Sequence, residues 1–171
     1  VITRPDAPVT LPLRERGIDI FFAVVFAAFT VTSVISDLLP TIGVDFSHPS
    51  ANFFVRSNYW YAHDADPLLM HPPDWMRIVT GLSAFVYMPF YVVLVIALLT
   101  GWNRIQLAAV VYATMIVAIA GVIVFGVEFF GEPALRTHNP AKFLVFNLPY
   151  VLVPLLLLIR MRAPWPFTRR F

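Results

Sequence analysis

Apolar side chains run through this chain in four long blocks, with the charged positions gathered between them. Ile20–Ser36, Ile78–Asn103, Ile105–Val127 and Phe143–Ile159 contain no Asp, Glu, Lys or Arg. A hydrocarbon core of about 30 Å takes about 20 helical residues, so all four blocks reach across, the outer two with help from their flanks. The blocks are continuously apolar rather than alternating, which excludes a transmembrane barrel. Inside lipid each backbone amide must then be paired within its own helix. The pattern predicts an all-α integral membrane four-helix bundle. Its spans lie at about 17–39, 75–100, 104–130 and 141–162, after an N-terminal arm (1–16) and before a tail (163–171). Gly101–Trp102–Asn103 reads as a tight turn, which makes the second and third spans antiparallel neighbours. The connection from Pro40 to Asp74 is long for a structureless loop and is expected to carry structure of its own. Within it, Asn52–Ala62 reads as a short helix laying Phe53, Phe54, Tyr59, Trp60 and Tyr61 on the membrane surface.

Composition agrees with this pattern and narrows it. Hydrophobic residues make up 59% of the 171 positions and charged residues only 13%, about half the share a soluble domain carries. The formal charge of +2 is too small to point to nucleic acid. The first apolar block is too long for the core of a cleavable signal and lacks a small-residue cleavage site. With no cysteine, disulfides and thiolate chemistry are excluded. Eight of the twelve basic residues (Arg4, Arg14, Arg16, Arg104, Arg160, Arg162, Arg169 and Arg170) fall on one side of a four-span topology. By the positive-inside rule that side, with both termini, is cytoplasmic.

Polar residues inside the spans are the candidate chemistry. An ionisable side chain in a span costs about 2.5–3.5 kcal/mol at its centre and less near an end. Thr30, Ser33 and Asp37 share one helical face. They line a cavity, or else the hydroxyls bond back to their own helix while Asp37 sits at the outer water interface. Thr80, Ser83 and Tyr87 repeat the spacing on the second span, just before Pro89, which interrupts the helical ladder. Asn147 and Tyr150 stand one turn apart, on either side of Pro149 and ahead of Pro154, as inter-helix hydrogen-bonding groups or as ligand contacts. Asp66 before Pro67 suits a cap for the short turn that follows. His48, His63, His71 and His138 lie in outer loops without the helical spacing of metal ligands, so no metal site is expected. Glu128 and Glu132, at i and i+4, read as an exposed helix end.

The run Trp60–Tyr61–Ala62, then Asp66–Pro67–Leu68–Leu69, Pro72–Pro73 and Trp75, resembles the first outer loop of the sigma-two receptor branch of the EXPERA family. That family also holds the emopamil-binding sterol isomerase. The resemblance continues through Pro89–Phe90, Tyr112 and Pro149–Tyr150–Val151–Leu152–Val153–Pro154–Leu155–Leu156. Arg16–Gly17–Ile18–Asp19 and Asp37 fall at matching separations, so it covers roughly residues 16 to 162. It implies a four-helix bundle around a lipophilic cavity that opens sideways to the bilayer and takes sterol-like or cationic amphiphilic ligands. It also implies ligand-binding roles for Asp37 and Asp66. Where the branch has an acidic partner for Asp37 on the second span, this chain has Ser83. Asn147 and Tyr150 resemble half of the isomerase site, which pairs an Asn with a Trp one turn on.

Shifting a ring double bond needs a proton donor and a proton acceptor held together. The isomerase branch uses intramembrane His and Glu for this. The charge-free cores of these spans have neither, and the matching neighbourhood offers Phe29, Ser33 and Thr80. Asp37 reads as the only carboxylate near the bundle. The expectation is therefore a non-catalytic protein binding a flat lipophilic molecule (a sterol, hopanoid or quinone-like compound) through Thr30, Ser33, Asp37, Asp66, Ser83, Tyr87, Asn147 and Tyr150, with no cofactor. Alternatives stay open: an accessory subunit of a larger membrane complex in contact with membrane lipids, a homodimer, or an enzyme using Asp37 and Tyr150 on another substrate.

Overall fold

The computed structural model describes residues 9–168; Arg4, Arg169 and Arg170, counted above toward the basic side, lie outside the described residues. Four helices are long and apolar enough to cross a membrane: α1 (Gly17–Thr41), α3 (Asp74–Thr100), α4 (Asn103–Phe130) and α5 (Pro140–Arg160). A fifth, α2 (Phe53–Ala65), lies in the outer connection. The fold is all-helical with a structured outer loop, as the hydrophobic pattern predicts.

Helix α1 packs along α3, and α5 along α4. The two pairs meet through an aromatic junction. Phe26 of α1 lies 5.5 Å from the Tyr91 ring of α3 and 5.9 Å from the Tyr112 ring of α4. Tyr91 and Tyr112 are themselves 5.3 Å apart, edge to face. Lipid tails are as apolar as leucine, so helices in a bilayer associate through packing and interhelical hydrogen bonds rather than through the hydrophobic effect. Interlocked rings supply that packing, and edge-to-face pairs add roughly 0.5–1.5 kcal/mol each.

Two spans are locally widened into π-helical turns, Ser83–Tyr87 in α3 and Val117–Val124 in α4. In α3 the cause is Pro89, which has no N–H for the carbonyl four residues back. Both widened stretches border the cavity described below. At the end of α3, Gly101 adopts φ 72°, the left-handed conformation that closes a helix. A side chain there would also meet the Thr10 methyl.

The end of the bundle where Leu11 and Phe167 meet is closed by charge. Asp19, fully buried, accepts from Arg160 Nε at 2.8 Å and Nη2 at 2.9 Å, and from Arg16 Nη1 at 3.1 Å. Arg16 also donates to the carbonyls of Leu98 and Leu99, at the C-terminus of α3 where a cation is favoured. The buried Phe167 ring lies against both guanidinium groups, 5.2 Å from each. Leu11 N–H bonds Phe167 O at 2.9 Å, so the arm and the tail are held together.

The opposite end is roofed by α2. Asn52 caps it, its side chain accepting from Phe54 N–H at 2.9 Å. Asn58 ties it to α1 by donating to Ile35 O at 2.8 Å. Lys142 ties it to α5 through Asp64 at 2.8 Å and lies over the Trp60 ring. The five aromatics expected on the membrane surface divide. Phe53, Phe54 and Trp60 are exposed, Tyr59 packs on His63, and Tyr61 turns inward. Tyr61 turns because a buried carboxylate on the next segment takes its hydroxyl.

Candidate functional site: a cavity beneath the outer helix

A cavity of about 590 Å³ lies beneath α2, bordered by all four spans. Its wall is mostly apolar, with Ile35, Val79, Ile116, Ile119, Phe125 and Phe146 among the bordering residues. A few polar groups interrupt that wall, the usual make-up of a small-molecule site.

Asp37 is the central polar group. Its Oδ2 accepts from Ser33 and from Ser83, each at 2.7 Å, while no donor among the described residues reaches its other oxygen. Residue 83 thus supports the carboxylate with a hydroxyl in place of a second acid. Thr41 donates to the buried Thr80 at 3.0 Å, which fastens the end of α1 to α3 beside this group.

The stripe expected on α1 is divided. Thr30 donates back to Phe26 O at 2.9 Å and does not border the cavity. Ser33 is buried behind Asp37 and holds it rather than facing the space. At about 100° per residue, Thr32 and Ser36 are the hydroxyls that share the cavity strip with Asp37. Thr32 hydrogen-bonds Tyr150, whose ring stacks on Phe29 at 4.2 Å, so α1 and α5 are latched across the cavity wall. Ser83, Tyr87, Asn147 and Tyr150 all border the cavity, and the Tyr87 hydroxyl has no hydrogen-bond partner among the described residues.

A second polar cluster stands where the outer loop meets α4 and α5. Asp66 caps the turn Pro67–Met70, its Oδ1 accepting from Leu69 N–H at 2.8 Å. Its Oδ2 accepts from Tyr61 at 2.9 Å, and the Asn147 side chain donates to the Tyr61 hydroxyl. Glu128, read from sequence as part of an exposed helix end, is fully buried instead; Glu132 is exposed. Among the described residues neither Glu128 carboxyl oxygen finds a donor in good geometry, and the Asp66 carboxyl stands beside it. Two carboxyl groups this close and away from water disfavour the doubly charged state. Burial raises the Asp66 pKa above its ordinary value of 3.8. Burial, and then the Asp66 charge, push the Tyr61 phenol up as well. Asp64, on the exposed side of α2, is held below its ordinary value by the hydrogen bond from Lys142.

Asp37 is thus not the only carboxylate at the bundle, since Asp19, Asp66 and Glu128 are also buried. Sequence reasoning missed Glu128 because it counted a terminal charge as solvated. The available signal was that Glu128 follows Val124 by one turn, on the inward strip of an apolar helix. Ser36, Arg56 and Tyr61 were missed for a different reason: only the placement of α2 brings them to the cavity.

Fold and cavity together define a multi-pass helical membrane protein with a pocket enclosed by its spans. The family model EXPERA (EXPanded EBP superfamily) matches residues 53–161, and the chain belongs to that family. Sigma intracellular receptor 2 of Xenopus tropicalis is 36% identical over 104 residues, covering 56% of this chain and 60% of that protein. The human sigma intracellular receptor 2 is 29% identical over 118 residues, covering 62% of this chain and 67% of that protein. The aligned region therefore spans less than two thirds of the Xenopus relative's length. No solved structure matches the chain.

Proposed function

We propose that this chain binds a flat lipophilic molecule, such as a sterol, hopanoid or quinone-like compound, in the cavity beneath α2, without transforming it. The observation that carries the reading is Asp37: a carboxylate set into an apolar cavity, with one oxygen held by two serines and the other left for a guest. A bound hydroxyl or amine would complete it. Ser83, Tyr87, Asn147, Tyr150 and Asp66 border the same space, and Ser33 holds Asp37 from behind. The similarity to proteins named receptors also favours a binder. Support for binding over isomerisation comes from Asp37's partners, which are hydroxyls and not a second acid or an imidazole positioned to relay a proton. Both termini are placed in the cytoplasm on the strength of the arginine distribution.

The test is native mass spectrometry with lipid extraction on protein purified in mild detergent from its own membrane. The expected result is a retained polycyclic or isoprenoid molecule whose occupancy falls about tenfold or more in Asp37→Ala, the loss of one charge-assisted hydrogen bond. Empty protein that arrives bound to other subunits would overturn the reading in favour of an accessory role.

A further inference from the structure

We infer that Tyr61, its proton committed to Asp66, holds the Asn147 amide with its oxygen toward the cavity, so that the guest carries a hydrogen-bond donor for that oxygen as well as one for Asp37. This rests on the reading of the cavity as a lipophile site. It narrows the ligand to flat molecules with hydroxyl or amine groups at two positions, and sets ketones and quinones below their reduced forms.

The bonds around Asp66 fix the direction of each proton. Asp66 Oδ1 accepts from Leu69 N–H at 2.8 Å and Oδ2 from the Tyr61 hydroxyl at 2.9 Å. A phenol has one proton to give. With that proton on Asp66, the Tyr61 oxygen can only accept from its next neighbour, and Asn147 meets it with the amide nitrogen. The same nitrogen donates to Phe143 O at 3.0 Å, so both N–H bonds of the amide are spent on the protein. An amide has nearly the same shape either way round, and its hydrogen bonds decide which end points where. Flipped, this one would set its oxygen against the Phe143 carbonyl and against a hydroxyl whose proton is already used. No donor among the described residues reaches the oxygen as it stands, and Asn147 is half-buried at the border of the cavity.

Asp37 also keeps an unused acceptor, its second oxygen. The two acceptors come from different spans, α1 and α5, and border the same cavity of about 590 Å³. A guest with two donors satisfies both. A guest with a carbonyl at the Asn147 end places oxygen against oxygen and leaves two buried acceptors unpaired.

The test measures binding of androstanediol, epiandrosterone and androstanedione to the full-length protein in neutral detergent. These steroids share one flat skeleton and carry two, one and no hydroxyl groups. The expected result is about tenfold tighter binding of the diol than of epiandrosterone, and again of epiandrosterone than of the dione. Asn147→Leu should bring the first ratio to about one and leave the second in place. Tyr61→Phe loosens the hold on the amide and should shrink the first ratio alone, whereas lost packing would weaken all three steroids together. Diol binding no tighter than epiandrosterone in the wild type, or a first ratio unchanged in Asn147→Leu, would overturn the inference while leaving the proposed function standing. A first ratio unchanged in Tyr61→Phe would overturn the positioning role of Tyr61. No difference between epiandrosterone and the dione, or no binding of any of the three, would overturn this inference together with the proposed function.

Discussion

Asp19 and Asp37 lie on one helix, about five turns apart, and the fold treats them in opposite ways. Asp19 has two arginines, with both oxygens engaged and an aromatic ring packed against both guanidinium groups. Asp37 has only hydroxyls, all on one oxygen, and an apolar space in front of the other. A buried charge whose lone pairs all meet donors belongs to the frame, because removing either partner strands the other. A carboxylate left half-satisfied keeps hydrogen-bonding capacity that only a guest can use. The comparison shows that cost in a membrane does not by itself mark a functional residue. The number of unused lone pairs separates the two roles.

The largest effect that would break this comparison is at Asp19. Asp19→Ala leaves Arg16 and Arg160 without their carboxylate and should cost about 3–5 kcal/mol. Loss of the folded, monodisperse form in detergent would report it. Asp37→Ala should leave thermal stability close to wild type, since Ser33 and Ser83 can bond back to their own helices. Equal destabilisation by the two variants would erase the distinction.

The acid pair at the outer end sharpens the comparison, since it has neither cations nor an open oxygen facing lipid. The Asp66 pKa is raised by burial, so its neutral form favours the folded state. Its contribution is fully present below the unfolded value near 3.8 and is lost as pH rises through the higher folded value. Subtracting Asp66→Asn from wild type in unfolding measurements across mildly acidic pH should expose a decline of up to about 1.4 kcal/mol per pH unit. A difference that grew with pH instead would show that Asp66 is stabilised as a carboxylate. Glu128→Gln should fold normally, since a neutral amide removes the repulsion between two buried carboxyl groups and can donate to Asp66.

The smallest effect is expected at the exposed strap between α2 and α5. Lys142→Met removes the Asp64 ion pair, whose worth in solvent is slight. Thermal midpoints should stay within a degree or two of wild type, roughly the shift a few tenths of a kcal/mol would give. Asp64, with its lowered pKa, acts with the opposite sign to Asp66, its contribution fading as pH falls. A large drop for Lys142→Met would mean that α2 is held chiefly by this strap and not by Asn58 and the Asp66 cluster.

Much of the architecture was legible in the residues. Four charge-free blocks and a bilayer of set thickness leave few alternatives to four helices, and Gly101 and Pro89 mark a turn and a widened stretch by covalent constraint. Asp66 could be read as a cap because capping is local chemistry, complete within three residues. The polar stripes were less legible. Period alone put Thr30, Ser33 and Asp37 on one face. It could not say that Thr30 would bond to its own helix, that Ser33 would sit behind the carboxylate, or that Thr32 and Ser36 would border the space.

By itself the sequence determined that this is a membrane protein of four helical spans with an ordered outer segment, because burial of backbone amides in lipid permits little else. Only the tertiary structure decided which buried acids are closed and which are open. It brought Arg160 across 141 positions to Asp19, Ser83 to Asp37, Glu128 to Asp66 and α2 over the cavity. Those pairings depend on helix rotation and on which spans adjoin. Long-range packing of rings and hydroxyls sets both, and the periodicity of a single helix carries no record of its neighbours.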